Sequence, residues 1–198
     1  MSSVIHIRHI ESEEERDAAI EYISTNLHRM HGACPPPQKT PPCIFIALEG
    51  TSIVGSLAVQ FGEKETPLPI EELFSFDTQN TYPPYIREQT VYLSRWNASR
   101  ANIGLALWLK GSQHAEEIGR TYSCLTVKDT LLDKKPEFKS LWYPILDAKI
   151  RMVNIEDCEI PYFLEGSPPR PWLGILKEQI ISLSQEVDRI KKYIPIVF

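Results

Sequence analysis

TVYLSRWNASRANIG, Thr90–Gly104, is the stretch on which the reading of this chain turns. Thr90–Trp96 carries the β-branched and aromatic residues of a strand and runs into a short polar loop. Gly104 stands where a helix opens, and the helical pattern Ile103–Ile118 leads into a second strand, Thr121–Val127. Such a unit gathers the unpaired N–H groups of a helix's first turn, and the positive end of its dipole, at the loop. That arrangement suits an anion such as a phosphate. Ile103, Leu107 and Ile118 are read as the buried face of the helix, and Gly119 as the residue that ends it.

Immediately upstream, Gly62–Gln89 is rich in proline and turn residues, with one short helical piece around Ile70–Phe74. A connection of this length either shapes a pocket beside the strand it feeds or is a solvent-exposed insertion. Further back, Cys43–Leu48 and Ile53–Phe61 form a hairpin across Glu49–Ser52, with Gly50 suited to positive φ. Val4–Ile10 alternates apolar and polar residues as a first strand does. Ser12 then caps a helix, with Glu15 in capping-box position and an apolar face of Ala19, Ile20, Ile23, Leu27 and Met30. Gly32 and the segment CPPPQKTPP end it.

Downstream, Pro136–Leu146 reads as a short helix, and Lys149–Ile155 and Ile160–Leu164 as two last strands. Leu173, Leu176, Ile180, Leu183, Val187, Ile190 and Ile194 then recur at alternating spacings of three and four, an amphipathic helix. It either packs on the chain's own core or meets a second copy as a homodimer. The expected division is residues 1–166 as one domain and 167–198 as this C-terminal helix.

A chain of 198 residues buries a sizeable core without disulfides or metal. Its net charge of -5 argues against a nucleic-acid partner, which calls for a basic face. No apolar run reaches membrane-spanning length and the N-terminus lacks a signal-peptide layout, so the cytoplasm is the expected location. Cys34, Cys43, Cys124 and Cys158 fit neither a zinc nor a redox spacing and are read as free thiols. His28 and His31 lack a third ligand, so no metal is expected. Lys128, Lys134, Lys135 and Lys139 are interspersed with Asp129, Asp133 and Glu137, forming either a steering patch or a mixed surface.

The order strand–helix–hairpin–strand–helix–strand–helix–strand resembles that of the GNAT superfamily of N-acetyltransferases. Ile44–Phe61, IFIALEGTSIVGSLAVQF, looks like the family's central hairpin. VYLSRWNASRANIG is similar to the subgroup of acyl-homoserine-lactone synthases and N-acyl amino acid synthases, where a Glu-x-Ser-Arg strand precedes the carrier-binding loop. LPIEELF, Leu68–Phe74, looks like a segment that the subgroup places before that strand. The resemblance spans about Val4–Leu164. It implies an α/β fold with a central mixed, mostly antiparallel sheet flanked by helices.

The resemblance also implies a reaction. An acyl group would pass from the phosphopantetheine thioester of acyl-CoA or an acyl-carrier protein to the amine of a small, amino-acid-like acceptor, with no tightly bound cofactor. Ser99, Arg100, Ala101, Asn102, Ile103, Gly104 and Leu105 would hold the carrier, while Ser94, Arg95, Trp96 and Phe74 would line the substrate site. Arg95 in an ordinary ion pair and Trp96 in the core are the plainer alternatives.

Two departures stand out. In the carrier loop only Gly104 is retained, with Asn102 in place of an earlier glycine and Arg100 one place late. In the strand, Tyr92 occupies the glutamate's position. The proton of the attacking amine would then pass to Glu88 through water, to Tyr92, or directly to solvent. Tyr143, with Leu146 three residues on, matches a family tyrosine that gives a proton to the leaving thiolate; packing alone is the other reading. The alternative function is a catalytically degenerate module of this fold that binds an acyl carrier or a partner protein without chemistry.

Overall fold

β1 (Ile5–His9) is followed by α1 (Glu13–His31), whose start is fixed as the sequence suggests: the Glu15 N–H donates to Ser12 Oγ at 3.2 Å. The Glu15 carboxylate does not fold back on Ser12. It accepts from the Glu11 N–H at 2.8 Å and pairs with Arg8 of β1, tying helix to strand. β2 (Cys43–Glu49) and β3 (Ser52–Phe61) form the hairpin, with Gly50 at φ +64° in its turn. The computed structural model describes residues 4–31, 43–98, 101–133, 136–151 and 169–198.

α2 (Pro69–Leu73) and β4 (Phe74–Ser75) lie within the connection that follows. β5 (Thr90–Ala98), α3 (Ala101–Glu117) and β6 (Tyr122–Val127) are the unit read at the outset. Gly119 ends α3 with φ +85°. α4 (Asp129–Leu132), α5 (Pro136–Lys139), β7 (Tyr143–Pro144) and β8 (Lys149–Ile150) follow. β9 (Arg170–Ile175), α6 (Leu176–Lys191) and β10 (Ile196–Val197) complete the described elements.

Among the described residues the main sheet has eight strands in the order β10-β1-β2-β3-β5-β6-β9-β7. Only β1–β10 and β5–β6 are parallel, so the sheet is mixed and mostly antiparallel. Alternation along the strands sends Val91, Leu93, Leu57 and Val59 to one face, where α3 and α6 pack through Ile103, Leu107, Leu183 and Val187. Ile44 and Ile46 face the other way, toward Ala19 of α1. Tyr92, Cys124 and Leu173 form a separate cluster with Leu68, Ile70 and Tyr85 of the long connection. That connection therefore covers the sheet rather than extending into solvent.

Four local expectations are corrected. Pro136–Leu146 is helical only to Lys139; Tyr143 and Pro144 are a strand on β9, and Leu146 is 79% exposed. Ile118, read as buried, is 47% exposed beside the helix end. Leu173, read as the first residue of the C-terminal helix, belongs to β9, which lies in the main sheet between β6 and β7. Lys149–Ile150 pairs with β4 in a two-stranded sheet of its own. The expected strand Ile160–Leu164 and most of Lys149–Ile155 lie outside the described residues. So do Cys34 and Cys158. Cys43 and Cys124 are free and buried, and burial drives both thiols above their ordinary pKa, Cys43 to about 11. Among the described residues no helix is long and apolar enough to cross a membrane, and no metal-ligand cluster occurs.

Candidate active site

β5 and β6 are in register for only three pairs, Thr90–Tyr122, Val91–Ser123 and Tyr92–Cys124. Beyond Tyr92 and Cys124 the strands continue to Ala98 and Val127 with no ladder between them. Each is held on its far side, β5 by β3 and β6 by β9. A slot thus opens between two anchored strands, walled by backbone N–H and C=O groups that the sheet does not pair. β5 also carries one extra residue here: Ser56 faces Asn97 and Ala58 faces Ser94, so Arg95 and Trp96 together oppose Leu57. Such a bulge turns a strand locally and is common beside active sites.

α3 begins three residues past the end of β5, at the open end of the slot. Ala101 and Asn102 are therefore already helix rather than loop, so the helix starts two residues before the Ile103 of the sequence reading. Ile103, Gly104 and Leu105 are buried, so at these positions a ligand would meet the main chain of the first turn rather than side chains. Asn102 is helical and exposed, not a left-handed stand-in for glycine. Ser99 and Arg100 lie outside the described residues. Ser94, Arg95 and Trp96 lie on β5 just past the point where the strands part.

Tyr92, 8% exposed, is the last paired residue before the slot. Glu88 is exposed, in a single 3-10 turn before β5, at the closed end of the strand pair. Tyr143 lies on β7, with its hydroxyl donating to Glu178 at 3.3 Å and its ring edge-on to Tyr82 at 5.1 Å. Burial and the Glu178 carboxylate raise its pKa, so it stays a neutral phenol. Phe74 is buried on β4. The structure thus brings Tyr92 and the β5 bulge together at the slot, with Glu88 at the closed end of the strand pair and Tyr143 on another strand.

Sequence reasoning missed Glu71. Its side chain, 13% exposed, accepts from Arg87 Nε at 3.0 and 2.9 Å and from Arg87 Nη2 at 2.7 Å, and from the Leu68 N–H at 2.9 Å. Burial alone would raise its pKa, but Arg87, Tyr85 and the Leu68 N–H outweigh burial and hold it below the usual range. The buried Tyr85 hydroxyl is near Glu71 without a hydrogen bond of ordinary geometry; burial foremost, then Glu71, push its pKa far up. Glu71 and Arg87 stand sixteen residues apart, so no local pattern announces the pair.

No protein-family model matches the chain, and no curated protein does. Solved structures do. FeeM, an N-acyl amino acid synthase from uncultured soil microbes, is 14% identical with a TM-score of 0.59, over 88% of this chain and 92% of that one. BjaI, a CoA-dependent acyl-homoserine lactone synthase, is 13% identical with a TM-score of 0.59, over 98% and 92%. An acetyltransferase of the GNAT family from Staphylococcus aureus is 11% identical with a TM-score of 0.51, over 86% and 99%. At these identities the likeness is one of fold, and the fold of this chain is that of the GNAT acyltransferases.

Proposed function

We propose that the protein is an N-acyltransferase that moves an acyl group from a phosphopantetheine thioester, of CoA or of an acyl-carrier protein, to the amine of a small, amino-acid-like acceptor. The observation that carries this reading is the parting of β5 and β6 after Tyr92 and Cys124, with α3 starting at the open end. A pantetheine arm has two amides, and strand edges whose N–H and C=O groups face a slot can pair with them as with an added strand. Its phosphate would lie near the first turn of α3, the turn that Ser99 and Arg100 precede in the sequence.

The thioester carbonyl would then sit near Tyr92. The neutral amine attacks the carbonyl carbon, the C–S bond breaks, the nitrogen's proton leaves to water, and the thiolate takes a proton. Tyr92, the last paired residue before the slot, is the phenol that would give that proton. Tyr143, expected in this role, belongs to another strand. Glu71 is the carboxylate packed against this side of the sheet, and its pairing with Arg87 makes it a brace rather than a base. Positioning supplies most of the rate in such a site.

The test is release of free thiol from acyl-CoAs of increasing chain length, and from acyl-carrier protein, with and without amino acids. Amine-dependent thiol release is expected. Thioester binding with no release under any acceptor would overturn the enzymatic reading in favour of a carrier-binding module.

A further inference from the structure

The face of the sheet that carries Tyr92 also carries a polar group for which the reaction above has no use. Tyr85, 8% exposed, packs in one apolar cluster with Tyr92, Cys124, Leu68 and Ile70. Its N–H donates to Thr81 Oγ1 at 3.0 Å, and its ring meets Phe76 edge-on at 5.5 Å. The titratable groups that bear on its hydroxyl are Glu71, Cys124 and Arg87. The hydroxyl therefore lies between the Glu71–Arg87 pair and Cys124, the β6 residue at which the slot opens.

That hydroxyl is buried and makes no hydrogen bond of ordinary geometry among the described residues. Glu71 stands beside it with both oxygens already engaged: Oε1 accepts from Arg87 Nε and Nη2, and Oε2 from Arg87 Nε and the Leu68 N–H. A carboxylate so filled has little left for another donor. Buried hydroxyls are almost always paired, so an unmet one at the inner end of the slot points to a ligand. A phenol oxygen has lone pairs to offer an N–H. At the reacting carbonyl the group with an N–H to give is the amine, whose lone pair meanwhile attacks. Its nitrogen becomes positively charged as the C–N bond forms, and Glu71, which bears on the hydroxyl more strongly than Arg87 does, favours that charge. The carbonyl oxygen becomes negative in the same step and would be disfavoured there. Leu68, Ile70 and Phe76 make the surroundings apolar.

We infer that Tyr85 receives the acceptor: its phenol oxygen takes an N–H of the attacking amine and aims the nitrogen lone pair at the thioester carbon. The acceptor is then an amine with an apolar side chain, a conclusion that rests on the acyltransferase reading. Glu71 touches no substrate; it acts through Tyr85.

The probe is phenylalaninamide, an amine with an apolar side chain and no carboxylate, with binding to the full chain followed by calorimetry and thermal unfolding. Binding is expected, and is expected to weaken about tenfold or more in Tyr85→Phe, which keeps the ring and removes the hydroxyl. In turnover the same variant should raise KM for the amide by that factor and leave KM for the thioester unchanged. Its unfolding midpoint should not fall, because no native hydrogen bond is lost. A packing role alone would lower the midpoint and leave acceptor KM where it was, which overturns the inference. So would a change in thioester KM in place of acceptor KM, or no binding of the amide to the unmodified chain. Should the variant unfold, the unmodified chain still decides: 3-phenylpropanamide, the same body without the amine, should bind about tenfold more weakly, and equal binding overturns the inference. Failure of the acyltransferase reading looks different: no thioester releases thiol, while the two binding comparisons still settle the role of Tyr85.

Discussion

Tyr92 and Tyr143 lie in one lateral row of the sheet, with Cys124 of β6 and Leu173 of β9 between them. Residues directly opposite one another share a face, so both tyrosines start from the same side of the sheet, three strand spacings or about 14 Å apart. One thioester sulfur cannot be served equally by both.

Replacement of each tyrosine by phenylalanine separates their roles. Tyr92→Phe should lower kcat about a hundredfold, with KM for the thioester little changed, as loss of a general acid does. Tyr143→Phe removes only the 3.3 Å bond to Glu178 and should leave turnover within about twofold. Steady-state kinetics on the two variants is the check, and a reversed ranking would remove Tyr92 from the mechanism.

Gln179 of α6 is fully buried and ties that helix to β6 and to the turn before β7: it accepts from Ser123 Oγ at 2.7 Å and donates to the Leu141 carbonyl at 3.3 Å. Gly174 leaves room for that side chain; a Cβ there would collide with the Gln179 amide and crowd the Leu141 carbonyl. Gly174→Ala should cost about 1–3 kcal/mol through overpacking. Gln179→Leu should cost a similar amount, about 1–3 kcal/mol, by leaving Ser123 and the carbonyl unmet. The two losses should not add in the double variant, because both act through one contact. Urea unfolding midpoints measure all three.

Three carboxylates lie below their usual range, Glu15, Glu71 and the fully exposed Asp77, and acid sensitivity should centre on the two ion-paired ones, Glu15 and Glu71. Hydrogen bonds from Arg8 first, then from the Glu11 N–H, hold Glu15 down at about 2. Glu71 also lies below its usual range. A depressed folded-state pKa stabilises the fold fully above the unfolded value of about 4.3, and that stability is lost as pH falls through the folded value. Urea midpoints should therefore fall between about pH 5 and about pH 2. In Glu15→Gln this decline should be shallower, and an unchanged decline would show that the Arg8 pair contributes nothing at low pH.

How much of this was legible beforehand depended on how local the cause was. The Ser12 cap, the Gly50 turn and the Gly119 helix end each depend on a single residue's own conformational options, and each appears where it was read. The seam from Leu176 to Ile190 was equally plain as a periodicity, and it packs on α3 of the same chain. Leu173 fitted the same spacing, yet PWLGI also suits a strand; pairing with β6 and β7 decided that, and spacing carries no record of pairing. Pro136–Leu146 failed for the same reason. Trp142 is buried against Trp108 of α3, with ring centroids 5.3 Å apart, and this together with the β9 ladder draws the chain out of a helix.

By itself the sequence determined the order of the main elements from β1 to β6, the turn and cap positions, most of the apolar faces, and the strand–helix–strand unit on which the functional reading rests. Only the tertiary structure decided that β5 and β6 separate after three pairs, that Tyr143 stands two strands away from the slot, and that Glu71 meets Arg87. The physical reason is range. Backbone preference and side-chain periodicity act over a few residues, whereas strand register, slot opening and buried ion pairs are set by which distant segments exclude water together.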